Sequence, residues 1–288
     1  MSELARQARR GAGLAAGGML LISLDSLGIR LSGASSWDAA FWLGVFGALG
    51  MGALALGRRR ARSAPAPAGS TWSRAAPTVA AGCLQAASTT FFVLAIGATT
   101  VADTVAIIAA APVVAAVGAR LALGERVRRR TAVGIALCAA GVGLIVGGSL
   151  GAGRLAGDVA ALAAITAFGA NVTLWRSRPD HDWTAALALG GVLMALAAAT
   201  VADPGAVSGR GVLILAALGG ISGAAGRLAL AVASRHLAAA QVGLFAPVET
   251  VAASGWAWLF LAEAPPATTV AGGLVVLGSV AWGTSGTG

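Results

Sequence analysis

The chain has 288 residues, 57% apolar and 11% charged, with a mean hydropathy of +0.83. A soluble domain carries about 25% charged residues, so a water-facing skin over the whole molecule is excluded, whereas a surface dissolved in lipid needs none. The formal net charge of +9 comes from 20 arginines, with no lysine and no tyrosine. These arginines sit in short breaks between apolar runs, not in a stripe interleaved with aromatics, which argues against a nucleic-acid partner.

Ten apolar runs follow one another in chain order, most of them about 18 to 23 residues, the length that crosses some 30 Å of hydrocarbon at 1.5 Å per residue. The first five expected spans are 11–31, 37–56, 78–96, 102–123 and 131–147. The second five are 158–175, 184–201, 212–234, 239–261 and 268–282. The basic start, Met1 to Arg10, leads into a span-length run with no clean small-residue cleavage site, so it reads as a retained first span. The one long break, 58–77, is rich in Arg, Ala, Pro and Ser and reads as a flexible loop. The fold class expected is an all-α integral membrane protein of ten transmembrane helices.

Charge distribution orients the spans. Fifteen arginines (Arg6, Arg9, Arg10, Arg58, Arg59, Arg60, Arg62, Arg74, Arg126, Arg128, Arg129, Arg130, Arg176, Arg178 and Arg235) fall on one side of the ten-span arrangement and three (Arg30, Arg154, Arg210) on the other. The positive-inside rule then puts both termini in the cytoplasm and the chain in a bacterial-type inner membrane.

Compared with itself at an offset of 138 residues, the chain repeats. Val113 pairs with Val251, Ala115 with Ala253, Leu121 with Leu259, Glu125 with Glu263 and Gly134 with Gly272. The common order is an apolar run, Leu-x-Leu-small-Glu, a polar turn and a glycine-bearing helix. Two halves, 1–148 and 149–288, each hold five spans. An odd number turns the second half upside down, and inverted repeats place a substrate site near the midplane where the halves meet.

The segments PVVAAVGARLALGERVRRRTAVGIALCAAGVGLI from Pro112 and VETVAASGWAWLFLAE from Val248 resemble the EamA-type branch of the drug/metabolite transporter superfamily, over nearly the whole chain. The resemblance implies a ten-helix carrier of two inverted halves that exports amino acids, such as the aromatic ones, or related metabolites. Glu249 keeps an acidic residue common in the family, Thr250 stands where Pro is frequent, and Leu43 stands where many relatives carry Arg.

Ionisable groups inside a span need a partner, a cavity or a route to water. Asp25 and Glu249 fall near mid-depth of the first and ninth spans and Arg227 about two turns into the eighth, so an acid–base site for a zwitterion is one reading and structural pairing the other. Gln85 and Thr89 are the candidate solute ligands of a polar-aromatic patch running through Ser88, Thr90, Phe91 and Phe92. Asn171 and Thr173 read as helix glue. Trp256 and Trp258 are more central than an interfacial belt requires, whereas Trp37, Trp42, Trp175 and Trp282 read as belt residues. Arg120 is expected to snorkel. Pro112 and Pro247 are expected to kink the fourth and ninth helices at mid-span, each freeing a carbonyl. Gly143 with Gly147 and Gly219 with Gly223 read as close-packing seams.

Cys83 and Cys138 lie in apolar runs away from any histidine, and His181 and His236 lie at turns, so no metal site or disulfide framework is expected. No nucleophile–base pair, metal cluster or nucleotide loop is present in the pattern, so no catalytic residue and no cofactor is assigned. The function expected is secondary transport of a small molecule by a monomer or weak homo-oligomer. The alternatives are export of other metabolites or drugs, and a non-transport membrane scaffold.

Overall fold

The computed structural model describes residues 3–61, 71–98, 107, 110–146, 155–261 and 267–284, and every regular element among them is helical. Helix α1 (Glu3–Ile22) runs into α2 (Leu24–Ser32) through a break at Ser23, and α3 (Ser36–Ala61), α4 (Thr71–Ala98), α5 (Ala111–Leu123) and α6 (Arg129–Val146) follow. The second half holds α7 (Leu155–Ser177), α8 (Thr184–Ala199), α9 (Gly209–Ala217), α10 (Gly223–Ala233), α11 (Ala239–Gly243), α12 (Ala246–Leu261) and α13 (Ala267–Thr284). A π turn, Leu218–Ser222, joins α9 to α10.

Local chemistry sets several of these boundaries. Gly33 and Gly124 end α2 and α5 at φ 65° and 67°, a left-handed conformation that costs glycine no Cβ clash. The Ser208 hydroxyl accepts the Gly211 N–H at 3.1 Å and so starts α9. At the α1–α2 break the Ser23 hydroxyl bonds back to the Leu20 carbonyl at 2.7 Å, and Ser26 bonds back to Ser23 at 3.0 Å. Hydroxyls that engage the carbonyl three residues back compete with the helical ladder.

Among the described residues five stretches are long and apolar enough to cross a bilayer: Arg6–Ser32, Ser36–Ala61, Ala75–Ala98, Leu155–Ser177 and Gly209–Ala233. The apolar helices Ala111–Leu123, Thr184–Ala199 and Val270–Thr284 are shorter. The outward faces carry Leu121, Leu155, Leu213 and Ile221, each at least 72% exposed. Bare aliphatic side chains of this kind suit lipid, and the chain is a multi-pass membrane protein.

Small residues let the helices approach. A Cβ on Gly44 of α3 would lie 2.6 Å from the Ala195 backbone nitrogen, and one on Gly191 of α8 2.6 Å from that of Ala48, so α3 and α8 touch backbone to backbone. Further pairs are α6 with α13, α4 with α7 and α8, α1 with α10 and α12, and α5 with α7 and α11. Gly219, in the π turn, packs on Leu43 of α3, as the seam reading expects, but Gly143 faces open space, and Gly134 and Gly141 are glycines that pack α6 on α13. Gly147 and Glu263 lie outside the described residues.

Three expectations change. The long loop at 58–77 is shorter, because α3 continues to Ala61 and α4 starts at Thr71 with Pro77 inside its opening turns. Pro112 does not kink a helix at mid-length; it sits in the first turn of α5, where a missing N–H leaves no ladder bond unmade. Pro247 likewise lies in the first turn of α12, after a break at Leu244 and Phe245 that divides the expected ninth span into α11 and α12. A proline lacks the N–H that would tie α12 back to Gly243, so the break falls just before it.

Candidate substrate cavity

The break at Ser23 organises the centre of the molecule. Its hydroxyl accepts the Trp256 indole N–H from α12 at 2.8 Å. Two residues on, Asp25 points inward at 4% exposure and meets Arg227 of α10, whose Nη2 lies 3.2 Å from Asp25 Oδ2. The second carboxylate oxygen, Oδ1, is buried with no hydrogen-bond partner. Glu249 of α12 lines the same cavity, which measures about 90 Å3. Two carboxylates therefore face one guanidinium, and that guanidinium is already engaged.

The opposite wall is α4 and α7. Gln85 donates to Thr89 at 2.9 Å and accepts from Asn171 of α7 at 3.3 Å, a chain that ties the two helices and points Gln85 and Thr89 to the cavity. Ser88, Phe92, Ile165, Phe168 and Trp175 complete this side. A smaller lobe of about 40 Å3 adjoins it, sharing Gln85, Thr89 and Arg227 and otherwise walled by residues such as Leu43, Met51, Gly190, Gly191 and Gly219. Among the described residues Arg227 is the one basic side chain lining either lobe. Leu43 supplies no charge here.

Asp25, Gln85, Thr89, Arg227 and Glu249 thus come together. Trp256 stands behind them as a support of the Ser23 break and does not line the cavity. Pro112 and Pro247 are not wall residues either, although their neighbours Ala111 and Ala246 are. Within the polar-aromatic patch, Ser88 and Phe92 face inward while Phe91 is 39% exposed.

Trp175 departs from its belt assignment. It is 1% exposed, lines the cavity, and its indole N–H is buried without a partner. Its place near a span end suggested an interface, but the face of α7 that carries it turns inward against α4 and α5. Trp258, at 57% exposed, is not a cavity residue, and Trp282, half exposed, has the Arg130 guanidinium 4.4 Å over its ring, as a belt residue would. Phe168 and Ile165 carried no sequence signal, being ordinary apolar residues in an apolar helix.

Residues 9–147 match the model of the EamA-like transporter family. Over that segment the chain is similar to the EamA-like transporters. The EamA-like segment contains Asp25, Gln85 and Thr89, while Arg227 and Glu249 lie beyond it, so the cavity needs both halves of the chain. A solved crystal structure superposes with a TM-score of 0.76 at 18% identity, covering 95% of this chain and 96% of that one, which shows a shared fold. Altogether 27 chains of solved structures match. No curated protein sequence does.

Proposed function

We propose that the chain is a secondary carrier that exports amino acids, such as aromatic ones, or related small metabolites by alternating access through the central cavity. One observation carries the reading: a buried acid–base pair, Asp25–Arg227, and a second acid, Glu249, meet in a cavity whose other walls are Phe92, Phe168 and Trp175. The unsatisfied acceptor on Asp25 and the neighbouring acid Glu249 suit an ammonium group, the Trp175 N–H suits an acceptor, and the rings suit an apolar side chain. Buried charge without such a role is costly in a membrane.

The helix pairing supports the two-halves reading. Exchanging the first five expected spans with the second five leaves α3–α8 and α6–α13 unchanged, and turns α4–α7 into α10–α1 and α5–α7 into α12–α1, all of which are contacts of this fold. Such exchange symmetry is what units 1–148 and 149–288 would produce as inverted repeats, with the arginine bias placing both termini in the cytoplasm. Polar ties join helices and loops at two ends of the fold. At the arginine-rich end Arg176 holds Glu125 at 2.9 Å and Arg58 meets Asp182 at 3.6 Å. At the other end Asp38 accepts the Asp203 N–H at 2.7 Å, and Trp42 donates to the Pro204 carbonyl at 3.3 Å. Alternating access needs ties that can open one end at a time.

Flux into liposomes carrying the purified chain, screened over amino acids, other small metabolites and cationic drugs, tests the reading. Glu249→Gln is expected to lower the initial rate for the transported solute about tenfold or more, equivalent to at least 1.4 kcal/mol, while the melting temperature holds. Parental rates in both Glu249→Gln and Asp25→Asn would place the site elsewhere.

A further inference from the structure

A second cavity, about 330 Å3, opens at the arginine-rich end, lined by Arg126, Arg128, Arg176, His236 and Glu125. Adjacent residues divide it from the central one: Trp175 faces the inner space and Arg176 the outer. None of the outer arginines lines the central cavity, so among the described residues Arg227 alone can offer a cation to a negative group on a solute held there.

Arg227 is common to the two lobes of the central cavity, and the lobes differ in charge. Asp25 and Glu249 line the larger lobe only, together with Phe92, Ile165 and Phe168. The smaller lobe, about 40 Å3, has Arg227, Gln85 and Thr89 and, among the described residues, no carboxylate. Arg227 commits Nη2 to Asp25, and its other N–H donors engage no described residue. Thr89 accepts from Gln85 at 2.9 Å, which leaves its own O–H to donate.

Four glycines line the small lobe, Gly47, Gly190, Gly191 and Gly219. Packing accounts for the last three, since a Cβ would lie 2.9 Å from Gln85 Cβ, 2.6 Å from Ala48 N and 2.7 Å from the Leu43 carbonyl oxygen, respectively. Gly47 is different. A Cβ there would meet only the Gly219 carbonyl oxygen, at 3.6 Å, an ordinary contact, so helix packing does not demand glycine at this position and the missing side chain serves the lobe.

We infer that the small lobe is a carboxylate subsite: it takes the carboxylate of an amino acid between Arg227 and the Thr89 hydroxyl, and Gly47 keeps it open. The ammonium group then lies with Asp25 and Glu249 in the large lobe, and the side chain against Phe92 and Phe168. This rests on the carrier reading for its cargo and adds a requirement, a free carboxylate, which amines and amides lack. Size sets the orientation. One water-sized group needs about 10 to 15 Å3, so a lobe of about 40 Å3 admits a carboxylate but no aromatic ring. A carboxylate taken out of water needs hydrogen bonds to its oxygens, and charge-assisted bonds from a guanidinium are the strong ones.

Equilibrium binding to the full chain in phosphatidylcholine nanodiscs tests the subsite apart from flux. The probes are L-phenylalanine, its amide and 2-phenylethylamine, alike in ring and amine and different at the carboxylate. Phenylalanine is expected to bind about tenfold tighter or more than either of the others. Gly47→Ala should lower the affinity for phenylalanine about tenfold and leave that for phenylethylamine within about twofold. Gly52→Ala, on the same helix, where an added Cβ has nothing within 4 Å and lines neither lobe, should bind all three as the parent does. Equal affinities for the three probes, no binding of any, or a Gly47→Ala loss as large for phenylethylamine as for phenylalanine overturns the subsite. Phenylalanine that binds in the expected pattern but never crosses the liposome membrane refutes the carrier reading and leaves the subsite standing.

Discussion

The two cavities are separated by the step from Trp175 to Arg176, yet their chemistry is opposite. The inner one is smaller, with two carboxylates and one paired arginine; the outer one is larger and lined in part by exposed side chains, with three arginines and one paired carboxylate. The difference teaches where an ion pair matters. Inside, where water is scarce, an unmatched charge has no solvent to relax into, so the Asp25–Arg227 pair is structurally obligatory once either member is present. Outside, Arg176 and Glu125 are 32% and 26% exposed, and water screens their attraction.

The largest expected effect breaks the inner pair. Asp25→Ala takes the hydrogen-bonded carboxylate from the partly buried Arg227 and leaves only Glu249 nearby, and should cost about 3 kcal/mol of stability, read as a melting shift in detergent. The double change Asp25→Asn/Arg227→Gln should recover most of that loss, because two neutral amides replace two charges. A double variant as unstable as Asp25→Ala would show that shape, not charge balance, holds this site.

Breaking the outer tie should do less. Arg176→Gln is expected to cost about 1 kcal/mol or less, with the difference from the parent shrinking as salt rises from 0.05 to about 1 M because the Debye length falls to some 3 Å. A loss as large as that of Asp25→Ala, insensitive to salt, would erase the contrast between the cavities.

The smallest stability effect sharpens the comparison at the dividing step. Trp175→Phe removes an indole N–H that no protein group receives, so the melting temperature should hold to within about 0.5 kcal/mol. If the substrate supplies the missing acceptor, KM rises while the rate at saturation holds. An unchanged KM would leave Trp175 as a wall and nothing more.

Much of this was legible in the sequence because membrane solvent imposes it. Apolar runs of span length declare their helices, since backbone groups in hydrocarbon must pair within the segment. Rare charges inside those runs declare themselves by their cost, which is why Asp25, Arg227 and Glu249 stood out before any coordinates. Gln85 and Thr89 stood out for the same reason in weaker form.

Tertiary structure decided the rest. That Asp25 pairs with Arg227, 202 residues away, depends on how α1 and α10 cross. Trp175 faces a cavity instead of an interface because α7 is rotated inward by its contacts with α4 and α5. Pro112 and Pro247 start helices where kinks were expected, because the chain breaks just ahead of each, and a hydropathy run does not register a break between two apolar segments. Phe168 and Ile165 were invisible for a related reason: in a chain apolar on every face, composition names what can be buried, and only packing chooses which of those side chains meet around one space.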